Sequence, residues 1–259
     1  MYYQKLKEQL FVDIDYPKSI ADLIGDAEAW NNFCKLPREL KEKFSFLNQQ
    51  KETDIGYFWR SKSEGREDKE YFHIYPNMRE MIQADGLDDL VESNPVLKEF
   101  FDYTDRVYES VHNFALSIGS EMGKEIPGLA RLVRDRKIRS VLRLLHYTNT
   151  DDTEVIATQH FDRSLYTLHL YESAPGLQFL NYDMKWTDAP VSNGQTVVFS
   201  GYRIEKLSDE DLQKTWHRVV KVGAQRDRIS LVLFVWTDAV PGYSQDSRSQ
   251  DLAPSYTRA

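Results

Sequence analysis

The sequence predicts a mainly β chain with helical additions, an α+β arrangement in which a helix-rich front part precedes a sandwich or barrel. Three observations predict it. Short runs of branched and aromatic residues crowd the stretch after Pro127, turn signals separate them, and apolar residues before Gly123 recur at helical intervals instead.

Taken in order, MYYQKLKEQLFVDIDYP alternates charge with apolar residues and holds no continuous apolar run, so neither a secretory signal nor a membrane span is expected there. From Ala21 to Phe46 the spacing predicts two short helices, with Pro37 ending one and opening the next. Gly56 to Pro76, GYFWRSKSEGREDKEYFHIYP, reads as a loop leading into a strand. Asn94-Pro95 is a helix start, and Val96, Phe100, Val107, Val111, Phe114, Ala115 and Ile118 carry the longest helix to Gly123. Strands are expected within 137–148, 163–172, 176–182, 195–204, 216–222 and 228–236. The polar tail after Trp236 is a frayed end or a flap over a pocket. One domain over 1–259 follows, with a helix-rich part to 126, a β core over 137–236 and a tail over 237–259.

With 41% hydrophobic and 29% charged residues the composition is that of a folded globular chain. A net charge of −8 gives no diffuse positive field, so neither a nucleic acid nor an acidic membrane surface is the expected partner. A small molecule is, with the chain a monomer or weak homo-oligomer. The single cysteine, Cys34, cannot form an internal disulfide, which fits a reducing compartment and a cytoplasmic location.

Chemistry concentrates in QHFDRSLYTLHLYESAPGLQF, residues 159–179. Read as a pleated strand, this stretch turns His160 and Asp162 to one face, and His217 opens a later strand, WHRVV. Two imidazoles and a carboxylate can occupy one face of an octahedral Fe(II), leaving three positions open. A structural zinc site would be closed. On the next apolar strand Arg228 and Ser230 share a face, and a guanidinium beside a hydroxyl grips a carboxylate. His73, His112, His146 and His169 read as structural or surface residues.

HFDRSLYTLHLYESAPGLQF, WHRVV and RIS together resemble the isopenicillin N synthase-like iron(II)/2-oxoglutarate oxygenases, whose pattern runs His-x-Asp, Thr-Leu, Gly-Leu-Gln, His-Arg-Val, Arg-x-Ser. Gly56-Tyr57 and Glu67-Asp68-Lys69-Glu70 are similar to further segments of that family, with Glu67 standing for an aspartate. Where many members read Arg-x-Asn-x-Tyr-Pro, this chain has Arg143-Leu144-Leu145-His146-Tyr147-Thr148, keeping the tyrosine and losing the asparagine and proline.

The resemblance implies a double-stranded β-helix, the cupin-like jelly roll, with Fe(II) on His160, Asp162 and His217. It implies 2-oxoglutarate as co-substrate on Arg228, Ser230 and Tyr147, and O₂ as oxidant. The implied activity is a non-haem dioxygenase that hydroxylates, desaturates or cyclises an unactivated C–H bond of an amino acid, peptide or natural-product intermediate, releasing succinate and CO₂. An alternative within the fold is an Fe(II)/O₂ oxidase in which Arg228 and Ser230 hold the substrate's own carboxylate. Tyr57, Arg60 and Arg143 are candidate substrate contacts. Two readings stand for Arg163, steering an anionic substrate or pairing with a surface carboxylate.

Overall fold

A computed structural model of the chain describes residues 1–48, 53–60, 68–148, 155–190, 195–223 and 227–240. Glu67 and the tail beyond 240 lie outside the described residues. The helices are α1 (Tyr2–Gln9), α2 (Ile20–Cys34), α3 (Arg38–Lys41), α4 (Met78–Ala84), α5 (Asp88–Ser93), α6 (Pro95–Met122), α7 (Pro127–Arg134) and α8 (Tyr202–Leu207). The strands are β1 (Phe11–Asp15), β2 (Ser45–Asn48), β3 (Thr53–Arg60), β4 (Lys69–Ile74), β5 (Arg139–Thr148), β6 (Val155–His160), β7 (Tyr166–Glu172), β8 (Leu177–Leu180), β9 (Trp186–Asp188), β10 (Gln195–Ser200), β11 (His217–Val220) and β12 (Asp227–Trp236).

Two antiparallel sheets result, one ordered β1-β10-β7-β12-β5-β4-β3-β2 and the other β6-β11-β8-β9. This is the double-stranded β-helix that the motifs imply, with helices on the outer face of the larger sheet.

Alternation along β5 and β12 separates the two sides of that sheet. Leu142, Leu144, Ile229, Leu231 and Leu233 join the helix-side core, while Leu145, Tyr147 and Val232 join a second cluster between the sheets. The helix side is aromatic. Phe33 of α2 lies 4.6 Å, ring to ring, from Phe100 of α6 and 5.5 Å from Phe72 of β4, and burying such a ring fully is worth about 1.5–3 kcal/mol. Helix α6 begins as its sequence requires: the Asn94 side-chain carbonyl oxygen accepts from the Val96 and Leu97 amides at 3.0 and 3.3 Å, and Pro95 occupies the first turn.

The front part departs from the expected helix-then-strand division. It supplies β1, which pairs with β10 from Phe11↔Phe199 to Asp15↔Gln195, and β2 to β4, which extend the same sheet beyond β5. Gly56 to Arg60 therefore lies in β3 rather than in a loop. Short polar edge strands carry a weak periodic signal, and cross-strand pairing decides them. Gly56 has φ +82°, and a Cβ there would meet the Phe44 carbonyl oxygen at 1.9 Å, so only glycine lets β2 and β3 close. Similarly, the strand expected over 195–204 stops at Ser200 and the chain turns into α8.

Behind β5, on the face opposite Tyr147, Glu70 anchors β4 to its surroundings. Its Oε2 accepts from Lys41 Nζ at 2.6 Å and from the Tyr57 hydroxyl at 2.9 Å, and its Oε1 lies 3.0 Å from His146 Nδ1. Burial acts to raise its pKa, yet the donors from His146, Lys41 and Tyr57 prevail and hold it down at about 2, against an ordinary 4.5. A depressed carboxylate stabilises the fold fully above the unfolded value and loses that contribution as pH falls toward the folded one. Urea unfolding of the metal-free protein is therefore expected to show about 3 kcal/mol lost between pH 5 and pH 2. Glu70→Gln should flatten that fall; an unchanged pH profile in the variant would refute the assignment.

Candidate metal centre and cavity

A cavity of about 720 Å³ opens between the sheets, and His160, Asp162 and His217 lie on its wall. They do not meet by strand alternation. His160 is the last residue of β6, no strand runs through the next five residues, and Asp162 sits in that turn. Its carbonyl accepts from the Tyr202 amide at 2.8 Å, and its carboxylate Oδ2 accepts from Thr167 Oγ1 at 2.7 Å. Thr167 in turn bonds Ser164 Oγ at 2.9 Å. His217 arrives from β11, which pairs His217 directly with His160. Gly176, at φ +145° before β8, lets that neighbour approach, since a Cβ would meet the Val220 carbonyl oxygen at 2.4 Å.

Hydrogen bonding orients both rings. His160 Nδ1 lies 2.7 Å from the Thr158 carbonyl and His217 Nδ1 3.2 Å from the Thr215 carbonyl. A carbonyl only accepts, so both Nδ1 atoms donate and the Nε2 atom of each ring is left toward Asp162. They stand 4.0 and 3.9 Å from Asp162 Oδ1, and the three donor atoms fall within 4.8 Å of one another. Burial, then the neighbouring His160, push the His217 pKa down to about 4, which leaves the ring neutral near pH 7. Two imidazoles and a carboxylate, with the remaining side open to the cavity, fit a divalent iron. Cys34, Glu70 and His146 also lie close together, but Lys41 Nζ already occupies Glu70, and a cation there opposes a metal.

Across the cavity, Arg228, Ser230 and Tyr147 share the wall. Arg228 Nη1 is 3.4 Å from Ser230 Oγ, its Nε donates to the Ala174 carbonyl at 3.1 Å, and β12 pairs it with Tyr147 of β5. Its side chain is 2% exposed, so its charge requires a partner. The chain provides one in Glu172, which bonds Arg228 Nη2 and accepts from His169 Nε2 at 3.1 Å. Burial acts to raise the Glu172 pKa, and His169 with Arg228 lower it further than burial raises it. Arg228 beside a hydroxyl at the cavity wall fits one end of 2-oxoglutarate.

Arg60, Arg143 and Arg163 line the same cavity. Tyr57 does not: it is 1% exposed, packs 5.9 Å from Phe33 and gives its hydroxyl to Glu70, so it is a core residue rather than a substrate contact. The β3 parity that sends Arg60 toward the cavity sends Tyr57 to the helix side. His169 also differs from its expected place. Counting parity from His160 fails across the turn at 161–165, and His169 faces inward with Thr167. Thr167 was visible as the Thr-Leu of the motif; Glu172 had no local signal, because its partner is 56 residues away.

A double-stranded β-helix with these three donor atoms on its cavity wall could hold a metal ion there. Residues 138–236 match the 2OG-Fe(II) oxygenase superfamily. Gibberellin 2-beta-dioxygenase 3 of Arabidopsis thaliana is 29% identical over 110 residues, which are 41% of this chain and 32% of that protein. The chain thus spans about a third of that relative's length. In fold it is similar to a 2OG-Fe(II) oxygenase family protein from Caulobacter crescentus, with a TM-score of 0.70, 23% identity and coverage of 91% and 80% of the two chains. It is likewise similar to JOX2 in complex with 2OG, Fe and JA, with a TM-score of 0.70, 18% identity and coverage of 94% and 73%. Among the described residues no helix is long and apolar enough to cross a membrane.

Proposed function

We propose that the protein is an Fe(II)- and 2-oxoglutarate-dependent dioxygenase that oxidises an unactivated C–H bond of a small molecule such as an amino acid, peptide or natural-product intermediate. The observation that carries this reading is the inward convergence of His160 Nε2, His217 Nε2 and Asp162 Oδ1 in a cavity whose far wall holds Arg228 and Ser230. Bound Fe(II) supplies the O₂ chemistry that couples decarboxylation of 2-oxoglutarate to substrate oxidation, with succinate and CO₂ as products.

The chain's own residues supply geometry. Thr158 and Thr215 hold the tautomers of the two histidines, and Thr167 holds the Asp162 carboxylate so that Oδ1 stays inward. Arg228 and Ser230 take the far carboxylate of 2-oxoglutarate, with Tyr147 beside them, and Glu172 and His169 keep the guanidinium in its rotamer. Apolar Leu177, Phe199 and Val219 keep water from the space between. We place the whole chain in one functional unit, acting on a free small molecule in a reducing, cytoplasmic compartment where the buried thiol of Cys34 persists.

O₂-dependent conversion of 2-oxoglutarate to succinate, followed by mass spectrometry of a metabolite extract for gain of one oxygen or loss of two hydrogens, tests the proposal. Succinate formation with Fe(II) and not with Zn(II) is expected. Substrate oxidation without any consumption of 2-oxoglutarate would instead assign Arg228 and Ser230 to the substrate itself.

A further inference from the structure

Arg228 has a carboxylate of its own before any co-substrate arrives. Glu172 bonds its Nη2, and both side chains are almost wholly buried. As it stands the pair is neutral, which is what burial favours. On the oxygenase reading above, the far carboxylate of 2-oxoglutarate joins the same guanidinium near Nη1, where Ser230 Oγ lies 3.4 Å away. Two carboxylates then share one cation, and Ser230 and Tyr147 add hydroxyls without charge. The group is left with a negative charge in excess, in a place where water screens it poorly.

A third member of the group can supply the missing charge. His169 Nε2 lies 3.1 Å from Glu172 Oε2, the same oxygen that Arg228 bonds. An ionised carboxylate only accepts, so Nε2 carries the hydrogen and Nδ1 is left to take a second one. Among the described residues nothing bonds Nδ1.

The backbone is built to bring this ring in. Along a regular strand His169 and Glu172, three residues apart, would face opposite sides. Strand β7 breaks that alternation: Leu231 of β12 pairs with Tyr171 and Val232 with His169, so Leu170 is an extra residue, a β-bulge. Leu170 and Tyr171 both turn to the helix-side core, while His169 and Glu172 stay together on the side of Arg228. Thr167, two residues earlier on the same face, bonds Asp162. The ring therefore sits on β7 between the residue that steadies a metal donor and the residue that steadies Arg228. Among the described residues its side chain bonds none of the three metal donors.

The charged and titratable groups sharing the cavity wall with His169 are Arg228 of β12, His217 of β11, Asp162, Tyr147 and Arg143 of β5, and Lys69 of β4. His160, Arg60 and Arg163 complete the set, and β10 brings Val197 and Phe199, which do not titrate. Only His169 is bonded to the carboxylate that an incoming anion opposes.

We propose that His169 is a further residue of the co-substrate site, taking up a proton at Nδ1 when the far carboxylate of 2-oxoglutarate joins Glu172 on Arg228. The proton comes from solvent, and the Nδ1–H bond is the only covalent bond that forms. The imidazolium balances the second carboxylate, and its bond to Glu172 becomes charge-assisted on both sides. An imidazole ordinarily titrates near about 6.5. A group whose pKa rises on binding favours binding fully below its free-state value, and that contribution is lost as pH climbs through the bound-state value. Affinity for 2-oxoglutarate therefore falls above neutrality, by up to about tenfold per pH unit for one linked proton.

Calorimetric titration of 2-oxoglutarate into the full chain saturated with Mn(II), without O₂, tests this in Pipes, Hepes and Tris, buffers of different ionisation enthalpy. At about pH 7.5 the buffer dependence of the heat is expected to report uptake of about one proton per 2-oxoglutarate, with affinity falling about tenfold by about pH 8.5. Two variants act in opposite senses. Glu172→Gln removes the second carboxylate, so uptake disappears and binding stays tight across that range. His169→Gln keeps a donor toward Glu172 and takes no proton, so uptake disappears and binding is weak throughout. Binding without proton uptake, or uptake that survives His169→Gln, would overturn the proposal and leave the oxygenase reading intact. No binding of 2-oxoglutarate at any pH would remove both. The buffer comparison on the unaltered chain decides even if a variant does not fold.

Discussion

Arg228→Met should cost about 3–5 kcal/mol of stability, because it leaves the Glu172 carboxylate buried beside His169 without its cation. The same change should abolish measurable 2-oxoglutarate binding, since Ser230 and Tyr147 alone present hydroxyls and no charge. These two losses have different origins and are separable. In Arg228→Met/Glu172→Gln the uncompensated charge is gone, so the urea midpoint should recover most of the way toward wild type while 2-oxoglutarate binding stays lost. A double variant that binds 2-oxoglutarate normally would remove Arg228 from the co-substrate site. One that unfolds as easily as the single variant would remove Glu172 as its partner.

Asp162→Ala is expected to eliminate turnover and to lower Fe(II) or Mn(II) affinity by more than roughly 100-fold. Thr167→Val, which deletes only the hydroxyl that fixes Oδ2, should fall within the roughly 10–100-fold loss typical of a group that orients a ligand. Because His217 is neutral near pH 7, removing the carboxylate leaves no buried positive charge behind, and the metal-free variant should unfold within a few degrees of wild type. Metal titration followed by circular dichroism on the same samples checks both statements. Metal affinity undiminished by Asp162→Ala would end the assignment of the centre, whatever the effect on activity.

The helices of the front part illustrate what local chemistry makes legible. Asn94, Pro95 and the apolar stripe of α6 carry their instructions within one stretch, and capping and periodicity act over a few residues. The strands β5, β7, β10 and β12 were legible for the same reason. Strands β1 to β3 were not, because a short strand is defined by its partner, and β1 finds its partner about 185 residues away in β10. Tyr57 was misplaced by the same limit. Its motif gave no parity until β3 was seen to exist, and parity then sent it to the helix side.

By itself the sequence pointed to a double-stranded β-helix, to the candidate donors His160, Asp162 and His217, and to the Arg228–Ser230 pair, because each is carried by a short-range pattern of residue types. Only the tertiary structure decided how the donors meet: a turn after β6, tied to α8 and Thr167, brings Asp162 in where strand alternation does not reach. It also decided that Arg228 is partnered by Glu172 while Arg143, among the described residues, has no carboxylate of its own. Coulomb energy depends on distance through space and on burial, and neither is a property of chain order.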